Sequence, residues 1–290
     1  MDRWDGGSLH IISFVINFSV QEPVPIQRIS VEVTNRCQKG CPFCYNASGP
    51  RKTTRWTASS LIAFVLSCHA AGTKAVSFGG GEPLLFDGIF QVLEELEGVL
   101  FRSLTTNGLL LEQKETFQAL VSKRPDKVHI SIHDVENDTE VKRVLRQVKR
   151  LEDRGITSGI NLLIRHSTLS AARDAAEEIR SRGIGPERVI YIPMHGADAP
   201  SPEEVADAAG GKPFQSVSCL KGCRISPRFC SISWDQTVGW CSYTSSRSRL
   251  QERTASGLAS ALQDLPLVHC ENHLPRIEGE VHERVSSSPQ

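Results

Sequence analysis

Short β-branched segments alternate with helical patterns between about residues 28 and 195, and this alternation constrains the fold more than any other feature. The strand candidates are 28–34, 74–79, 101–106, 127–133, 158–165 and 188–193. The clearest helical pattern covers 138–153, where Asp138 is a candidate N-cap and Gly155 a candidate stop. Repeated βα units form a parallel sheet covered by helices. Six units are enough for a doubly wound sheet or a partial barrel, but not for a closed eight-stranded barrel.

The alternation of side chains along these strands favours a sheet that curls around a polar interior. In the fourth strand, apolar residues share one face, which leaves three polar residues on the other: His129, Ser131 and His133. In the fifth strand, Asn161 and Arg165 share a face. The same pattern groups Ser30, Glu32 and Thr34 in the first strand. We therefore expect an α/β fold, a partial (β/α)6 TIM-type barrel with a ligand-lined cleft and a small cysteine-rich C-terminal extension.

Three cysteines follow the first strand directly, in the sequence "NRCQKGCPFCYN" (35–46). Four cysteines complete a structural zinc site or many iron–sulfur clusters, and no fourth cysteine is nearby. Cys37, Cys41 and Cys44 can bind three irons of a [4Fe–4S] cluster and leave the fourth iron open to an outside ligand. The alternative is a structural zinc knuckle that takes a fourth ligand such as His69.

This C-x3-C-x-(aromatic)-C spacing after the first strand of a (β/α)6 chain resembles the radical S-adenosylmethionine (radical SAM) enzymes. In that family, the methionine moiety of SAM chelates the open iron. One electron from the cluster cleaves SAM to methionine and a 5′-deoxyadenosyl radical, which abstracts hydrogen from a substrate carbon. The resemblance implies that Cys37, Cys41 and Cys44 are the catalytic metal ligands, and that Phe43 lies against the cofactors.

A second stretch, "SFGGGEPLL" (77–85), is similar to the glycine-glycine-glutamate stretch of the same family, and "LTTNG" (104–108) is also frequent there. The resemblance implies that Gly80 and Gly81 expose backbone groups to the methionine ammonium of SAM, with Glu82 as its charged partner. In the family, strands four and five contact the ribose and carboxylate of SAM. The further cofactor-binding residues that this implies are Ser131, His133, Asn161 and Arg165.

Four more cysteines have the spacing C-x3-C-x6-C-x10-C: Cys219, Cys223, Cys230 and Cys241. The segment "CSISWDQTVGWC" predicts two short strands that turn near Asp235–Gln236 and bring Cys230 close to Cys241. It resembles the SPASM/Twitch auxiliary-cluster extension of many radical SAM enzymes, although Gln236 stands where glycine is usual. The resemblance implies a second [4Fe–4S] cluster in the shorter, Twitch-like form. There are two alternatives. One is a zinc site, and the other is a mixed site with one free cysteine that returns a hydrogen atom to a substrate radical.

The expected organisation is an N-terminal arm (1–27), a radical SAM core domain (28–195), an auxiliary metal-cluster domain (196–275) and a disordered tail (276–290). Lys+Arg and Asp+Glu balance at 33 each, so nothing suggests nucleic acid or an anionic membrane as a partner. The apolar stretch 9–20 is too short for a membrane span. Clustered cysteines, rather than disulfide staples, favour a cytoplasmic location.

The function that the resemblance implies is hydrogen abstraction from a small-molecule or peptide substrate, in natural-product or peptide (RiPP) maturation, with electrons from a flavodoxin- or ferredoxin-type donor. The segment before residue 28 is short for a leader-binding domain, so we expect either natural-product tailoring or a peptide substrate that is presented by a separate partner. The alternative is a non-catalytic iron–sulfur or zinc-binding protein, with an electron-transfer or structural role, whose clusters would be fully ligated.

Overall fold

Six parallel strands form the centre of the fold. The computed structural model describes residues 25–211, 213, 215–216 and 226–267. The strands are β1 (Arg28–Thr34), β2 (Ala75–Gly80), β3 (Phe101–Thr106), β4 (Lys127–Ile132), β5 (Ser158–Ile164) and β6 (Val189–Pro193). The helices that connect and follow them are α1 (Ala58–Ala70), α2 (Ile89–Glu95), α3 (Lys114–Lys123), α4 (Asp138–Glu152), α5 (Leu169–Ser181) and α6 (Pro202–Ala208). Each strand begins and ends within one residue of its predicted bounds.

Four short strands extend this sheet on both sides, and a last helix packs beside them. They are β7 (Gln215–Ser216), β8 (Phe229–Ile232), β9 (Thr237–Gly239), β10 (Ser248–Arg249) and α7 (Ala255–Gln263). The order of the ten-stranded sheet is β10-β9-β8-β1-β2-β3-β4-β5-β6-β7, so the described strands do not close a ring. The prediction of a partial (β/α)6 TIM-type barrel is confirmed.

The hydrophobic core lies between the sheet and its helices. Val128, Ile130 and Ile132 on β4 are fully buried, as the alternation predicts. The N-cap of helix α4 is Asn137, one residue before the predicted N-cap. Its Oδ1 atom accepts a hydrogen bond from the N–H of Glu140. Asp138, predicted as the N-cap, is instead the first helical residue.

The cysteine-rich segment continues the barrel sheet, because β8 pairs in parallel with β1 and places Cys230 opposite Ile29. Strands β8 and β9 form the predicted antiparallel hairpin. Gln236 lies in its turn at φ +66°, a left-handed conformation that explains why glycine is usual there. Its side-chain amide donates to the carbonyl oxygen of Arg55 at 3.0 Å, which anchors the strained turn.

Several predictions lie outside the described residues: most of the arm (1–24), two cysteines of the second group (Cys219 and Cys223), and the tail (276–290). The division at residue 195 stays a prediction. Among the helices of the described ranges, none has the length and apolar character needed to cross a membrane.

Candidate active site

One cavity of about 420 Å³ opens at the carboxyl ends of the parallel strands. Nine of the predicted site residues line it: Cys37, Cys41, Phe43, Cys44, Gly80, Gly81, Ser131, His133 and Asn161. Two others lie behind its wall. Glu82 is fully buried, and the guanidinium carbon of Arg165 lies 4.2 Å from the ring centroid of Phe43. The arrangement therefore gathers side chains and backbone from the loop after β1, the end of β2, and β4 and β5 around one space.

Backbone hydrogen bonds shape the cysteine loop. The N–H of Cys37 donates to the carbonyl oxygen of Gly49 at 3.1 Å, and the N–H of Gly49 donates to that of Asn35 at 3.1 Å. At the other end, the N–H of Cys44 donates to the carbonyl oxygen of Cys41 at 3.1 Å. The loop is thus folded back on the end of β1, and its three cysteines line the cavity.

The glycine run lies so close to the cysteine loop that side chains do not fit. The N–H of Gly81 donates to the carbonyl oxygen of Thr34 at 2.6 Å. A Cβ atom at Gly80, where φ is +117°, would lie 2.4 Å from that same oxygen, and one at Gly81 would lie 2.3 Å from the carbonyl oxygen of Arg36. Glycine is therefore required here for close backbone approach, in addition to exposing backbone groups to the cavity.

Glu82 has a different environment from the one expected. Its carboxylate accepts hydrogen bonds from the N–H of Leu84 at 3.0 Å, the hydroxyl of Thr106 at 2.8 Å and the N–H of Asn107 at 2.8 Å. Burial raises the pKa of Glu82 to about 7. Direct contact between this carboxylate and SAM stays a prediction, while the geometry supports a positioning role that ties the glycine run to the end of β3.

Asn107 is a site residue that the sequence pattern "LTTNG" marked only as a family feature. Its Nδ2 atom lies 3.6 Å from the Sγ atom of Cys37, within hydrogen-bond distance for sulfur. Its Oδ1 atom accepts from the N–H of Leu109 at 2.9 Å, which fixes the orientation of the amide. Hydrogen bonds to cysteine sulfur are one determinant of the reduction potential of an iron–sulfur cluster. Asn107 therefore has the geometry to tune a cluster bound at Cys37.

An ion pair anchors the middle of the cysteine loop, and no sequence pattern predicts it. The ammonium of Lys39 contacts the carboxylate of Glu140 on α4 and lies 3.4 Å from Nδ1 of His133. The same carboxylate accepts from the backbone N–H of His133 at 2.7 Å. Burial, followed by the nearby Lys39 ammonium, lowers the pKa of His133, so its ring is neutral at pH 7. A neutral imidazole at the cavity wall presents both a donor and an acceptor nitrogen.

Asn161 is held by a buried neighbour. Its Oδ1 atom lies 2.8 Å from Nδ1 of His129, whose pKa burial lowers to about 4. Because the Oδ1 atom of Asn161 is an amide oxygen and only accepts, Nδ1 of His129 carries the proton and donates to Asn161. Asn161 lines the cavity, and its side-chain NH2 group can donate hydrogen bonds to a bound molecule.

The donor set fits a [4Fe–4S] cluster better than a single metal ion. Across the described ranges, no three His, Cys, Asp or Glu side chains could bind one metal ion together. A zinc ion needs its sulfur ligands within about 2.3 Å of one point, whereas each iron of a cube takes its own cysteine. His69, the alternative fourth zinc ligand, lies in the last turn of α1, where its Nδ1 atom is 3.1 Å from the carbonyl oxygen of Thr73. Cys37, Cys41 and Cys44, which line one open cavity, are the residues that would hold a [4Fe–4S] cluster there.

The second cysteine group is only partly described, and one member has an unexpected position. Cys230 is fully buried on the face of β8 that it shares with Ile29 on β1. Burial, with a smaller contribution from nearby Cys68, raises the pKa of the Cys230 thiol. Cys241 is half-buried, and its sulfur accepts from the N–H of Tyr243 at 3.5 Å. A thiol facing the hydrophobic core does not support the predicted auxiliary-ligand role of Cys230.

Comparison with known proteins identifies the class. Residues 31–209 match the Radical SAM superfamily, which is more than half of the chain. The protein therefore belongs to the radical SAM superfamily, and it is an enzyme of that class. The family implies a [4Fe–4S] cluster and SAM as its cofactors.

Among named relatives, a probable GTP 3′,8-cyclase from Methanocella arvoryzae is 26% identical over 192 residues, which are 65% of this chain and 55% of that protein. The GTP 3′,8-cyclase of Geobacter sulfurreducens is 30% identical over 191 residues, 63% of this chain and 51% of that protein. The chain thus spans little more than half the length of these two relatives.

Solved structures share the fold at low sequence identity. SuiB of Streptococcus suis, bound to its precursor peptide SuiA, superposes with a TM-score of 0.64 at 12% identity, over 81% of this chain and 64% of SuiB. The protein anSMEcpe, with bound AdoMet and the Cp18Cys peptide, gives a TM-score of 0.60 at 14% identity, over 80% of both chains. These similarities establish the fold alone.

Proposed function

We propose that this enzyme reductively cleaves SAM and abstracts hydrogen from a carbon atom of its substrate. The observation that carries the proposal is the cavity into which three cysteines of one loop converge beside the backbone of Gly80 and Gly81. Cys37, Cys41 and Cys44 would bind the cluster. A bound cluster and SAM would supply one electron and a carbon-centred radical, and the chain supplies binding, orientation and shielding from water.

The remaining predicted residues would bind SAM from the cavity wall. The backbone of Gly80 and Gly81 is exposed where the methionine ammonium would lie. Ser131 and Asn161 offer polar groups for the ribose and carboxylate, with the neutral ring of His133 beside them. Phe43, fixed on its far side by the guanidinium of Arg165, would pack against the cofactors. Glu82 acts in this proposal as a positioning residue.

For the substrate, we propose a peptide or natural-product intermediate, with a flavodoxin- or ferredoxin-type donor supplying electrons. The structures of similar fold contain peptides, SuiA in one and Cp18Cys in the other, and they cover about four-fifths of this chain. GTP is the second candidate, because the named relatives are GTP 3′,8-cyclases. A cytoplasmic location stays a prediction from cysteine usage.

The test is anaerobic cleavage of SAM by the full chain after cluster reconstitution, with dithionite as reductant. We expect 5′-deoxyadenosine by mass spectrometry, and its loss when Cys37, Cys41 or Cys44 is changed to Ala. Cys241→Ala is the matched control, because Cys241 lies outside the cavity wall, and it should retain cleavage. A cluster-replete wild-type sample that yields no 5′-deoxyadenosine contradicts the proposal.

Substrate is assigned by adding GTP, or peptides encoded beside this gene, and following the mass change of each. If Cys241→Ala also retains full turnover of the assigned substrate, an auxiliary cluster at that cysteine has no part in the mechanism.

A further inference from the structure

A second, acidic region of the same cavity is not used by the proposed cofactor contacts. Glu32 on β1 lines the cavity and is 3% exposed. The predicted cofactor residues lie in the loops after β1 and β2 and on β4 and β5. Glu32 lines the same cavity together with Tyr45 of the cysteine loop, with His195 beyond β6 and with Tyr243 beyond β9. None of these four residues is among the predicted cofactor-binding residues, so we consider them as substrate contacts.

The carboxylate of Glu32 is only partly satisfied by the protein. Its Oε2 atom is buried, with no hydrogen-bond partner among the residues that the structure describes. The guanidinium of Arg247 acts on the charge of Glu32. It donates hydrogen bonds to the carbonyl oxygens of Ser231, Thr237 and Cys241 and to the hydroxyl of Thr237. Burial raises the pKa of Glu32, against smaller opposing effects of Arg247 and of hydrogen bonds from Ser233 and Tyr45. A buried carboxylate with an unused oxygen is costly unless a charged or donor group pairs with it.

Aromatic rings form the wall beside this carboxylate. Tyr45 contacts Glu32, and its ring meets that of Tyr243 edge to face at a centroid distance of 5.0 Å. The ring of Tyr243 in turn lies 4.4 Å from that of His195. Ring faces attract cations through their quadrupole, at partly exposed sites as well as buried ones, and the side chain of Tyr45 is half exposed. Carboxylate and rings together favour a positively charged group.

We propose that Glu32, with Tyr45, Tyr243 and His195, binds an ammonium or guanidinium group of the substrate and so fixes which carbon faces the cysteine loop. The inference deepens the proposed function and rests on it for the meaning of "substrate". The site itself is a property of the cavity and is measured without turnover.

The experiment measures binding of small probes to the cluster-replete, SAM-loaded full chain by saturation-transfer NMR. Butylammonium is the cationic probe, with 1-butanol and butyrate as neutral and anionic probes of similar size. We expect butylammonium to bind at least tenfold more tightly than either. Glu32→Gln, which preserves shape, should remove that preference, whereas Glu115→Gln on the exposed surface of α3 should leave it unchanged.

Equal binding of the three probes by the wild type overturns the inference, and this comparison needs no variant to fold. An unchanged preference in Glu32→Gln overturns it too. Binding of guanosine that depends on Glu32, without binding of butylammonium, also overturns the inference. That result would mean that the carboxylate accepts hydrogen bonds from the neutral N–H groups of a base. If the wild type shows no preference among the three probes but still cleaves SAM, the cation site alone is refuted. If the wild type binds butylammonium selectively but does not cleave SAM, the proposed function alone is refuted.

Discussion

Replacing Gly81 by alanine should separate the glycine run from the cysteine loop. The new Cβ atom would lie 2.3 Å from the carbonyl oxygen of Arg36 and 2.7 Å from its carbonyl carbon. Non-bonded heavy atoms are comfortable at about 3.5 Å, so one backbone segment must move by about 1 Å. Both neighbours are backbone, and no side-chain rotation relieves the contact.

The magnitude follows from that displacement. Forcing a methyl group into a packed site costs about 1–3 kcal/mol of unfolding free energy. A shift of about 1 Å in groups that position reactants reduces a rate by about 100-fold. We therefore expect Gly81→Ala to lose about 2 kcal/mol of stability and about 99% of its 5′-deoxyadenosine formation at equal iron content.

Gly49→Ala is the matched control, because Gly49 belongs to the same loop and a Cβ there would meet only the side chain of Lys52, at 3.8 Å. Both variants are compared with wild type by anaerobic urea unfolding and by the initial rate of SAM cleavage. Gly49→Ala should stay within about 1 kcal/mol of wild type. If Gly81→Ala matches Gly49→Ala in stability and rate, the close backbone approach does not exist and the reasoning fails.

Three further predictions concern the residues around the loop. Asn107→Asp retains the acceptor for Leu109 but replaces the donor to Cys37 by a carboxylate oxygen. Protein-film voltammetry should therefore show the cluster potential lowered by at least about 40 mV, the equivalent of one hydrogen bond of about 1 kcal/mol, since the new negative charge acts in the same direction. An unchanged potential excludes the contact. Lys39→Met leaves the Glu140 carboxylate buried without its cation and should lower the free energy of unfolding, measured in urea, by about 3 kcal/mol. Adding Glu140→Gln should restore most of this free energy. Strict additivity of the two substitutions contradicts the ion pair. The pKa of Glu82 rises from 4.5 in the unfolded chain to about 7 in the fold. The stability contributed by its protonated form is therefore complete below pH 4.5 and declines as pH rises through 7, by about 3 kcal/mol in total. The Glu82→Gln variant should lack this decline, and identical pH profiles of stability for variant and wild type would falsify the assignment.

The strands and their faces were predictable because one physical rule governs them locally. Alternation along β4 buries Val128, Ile130 and Ile132 and directs Ser131 and His133 into the cavity, and neither outcome depends on distant sequence. The position of the cavity follows as well, because the carboxyl ends of parallel strands meet at one edge of the sheet.

What the sequence did not reveal depends on pairing between distant segments. Lys39 and Glu140 are 101 residues apart, and their contact exists only because α4 packs beside the cysteine loop. Cys230 faces the core because β8 pairs with β1 in a register that no local pattern specifies. Glu82 turns away from the cavity because Thr106 and Asn107, at the end of another strand, supply its hydrogen-bond donors.

The central claim is that the three-cysteine loop leaves one iron for SAM, and electron–nuclear double resonance tests it directly. The reduced, cluster-replete full chain is mixed with SAM labelled with ¹⁵N at the methionine amino group. The account predicts a ¹⁵N hyperfine coupling to the cluster that is absent with unlabelled SAM. A fully reduced [4Fe–4S] signal with no ¹⁵N coupling at saturating SAM would mean that the fourth iron is not open to SAM, and the account would be wrong.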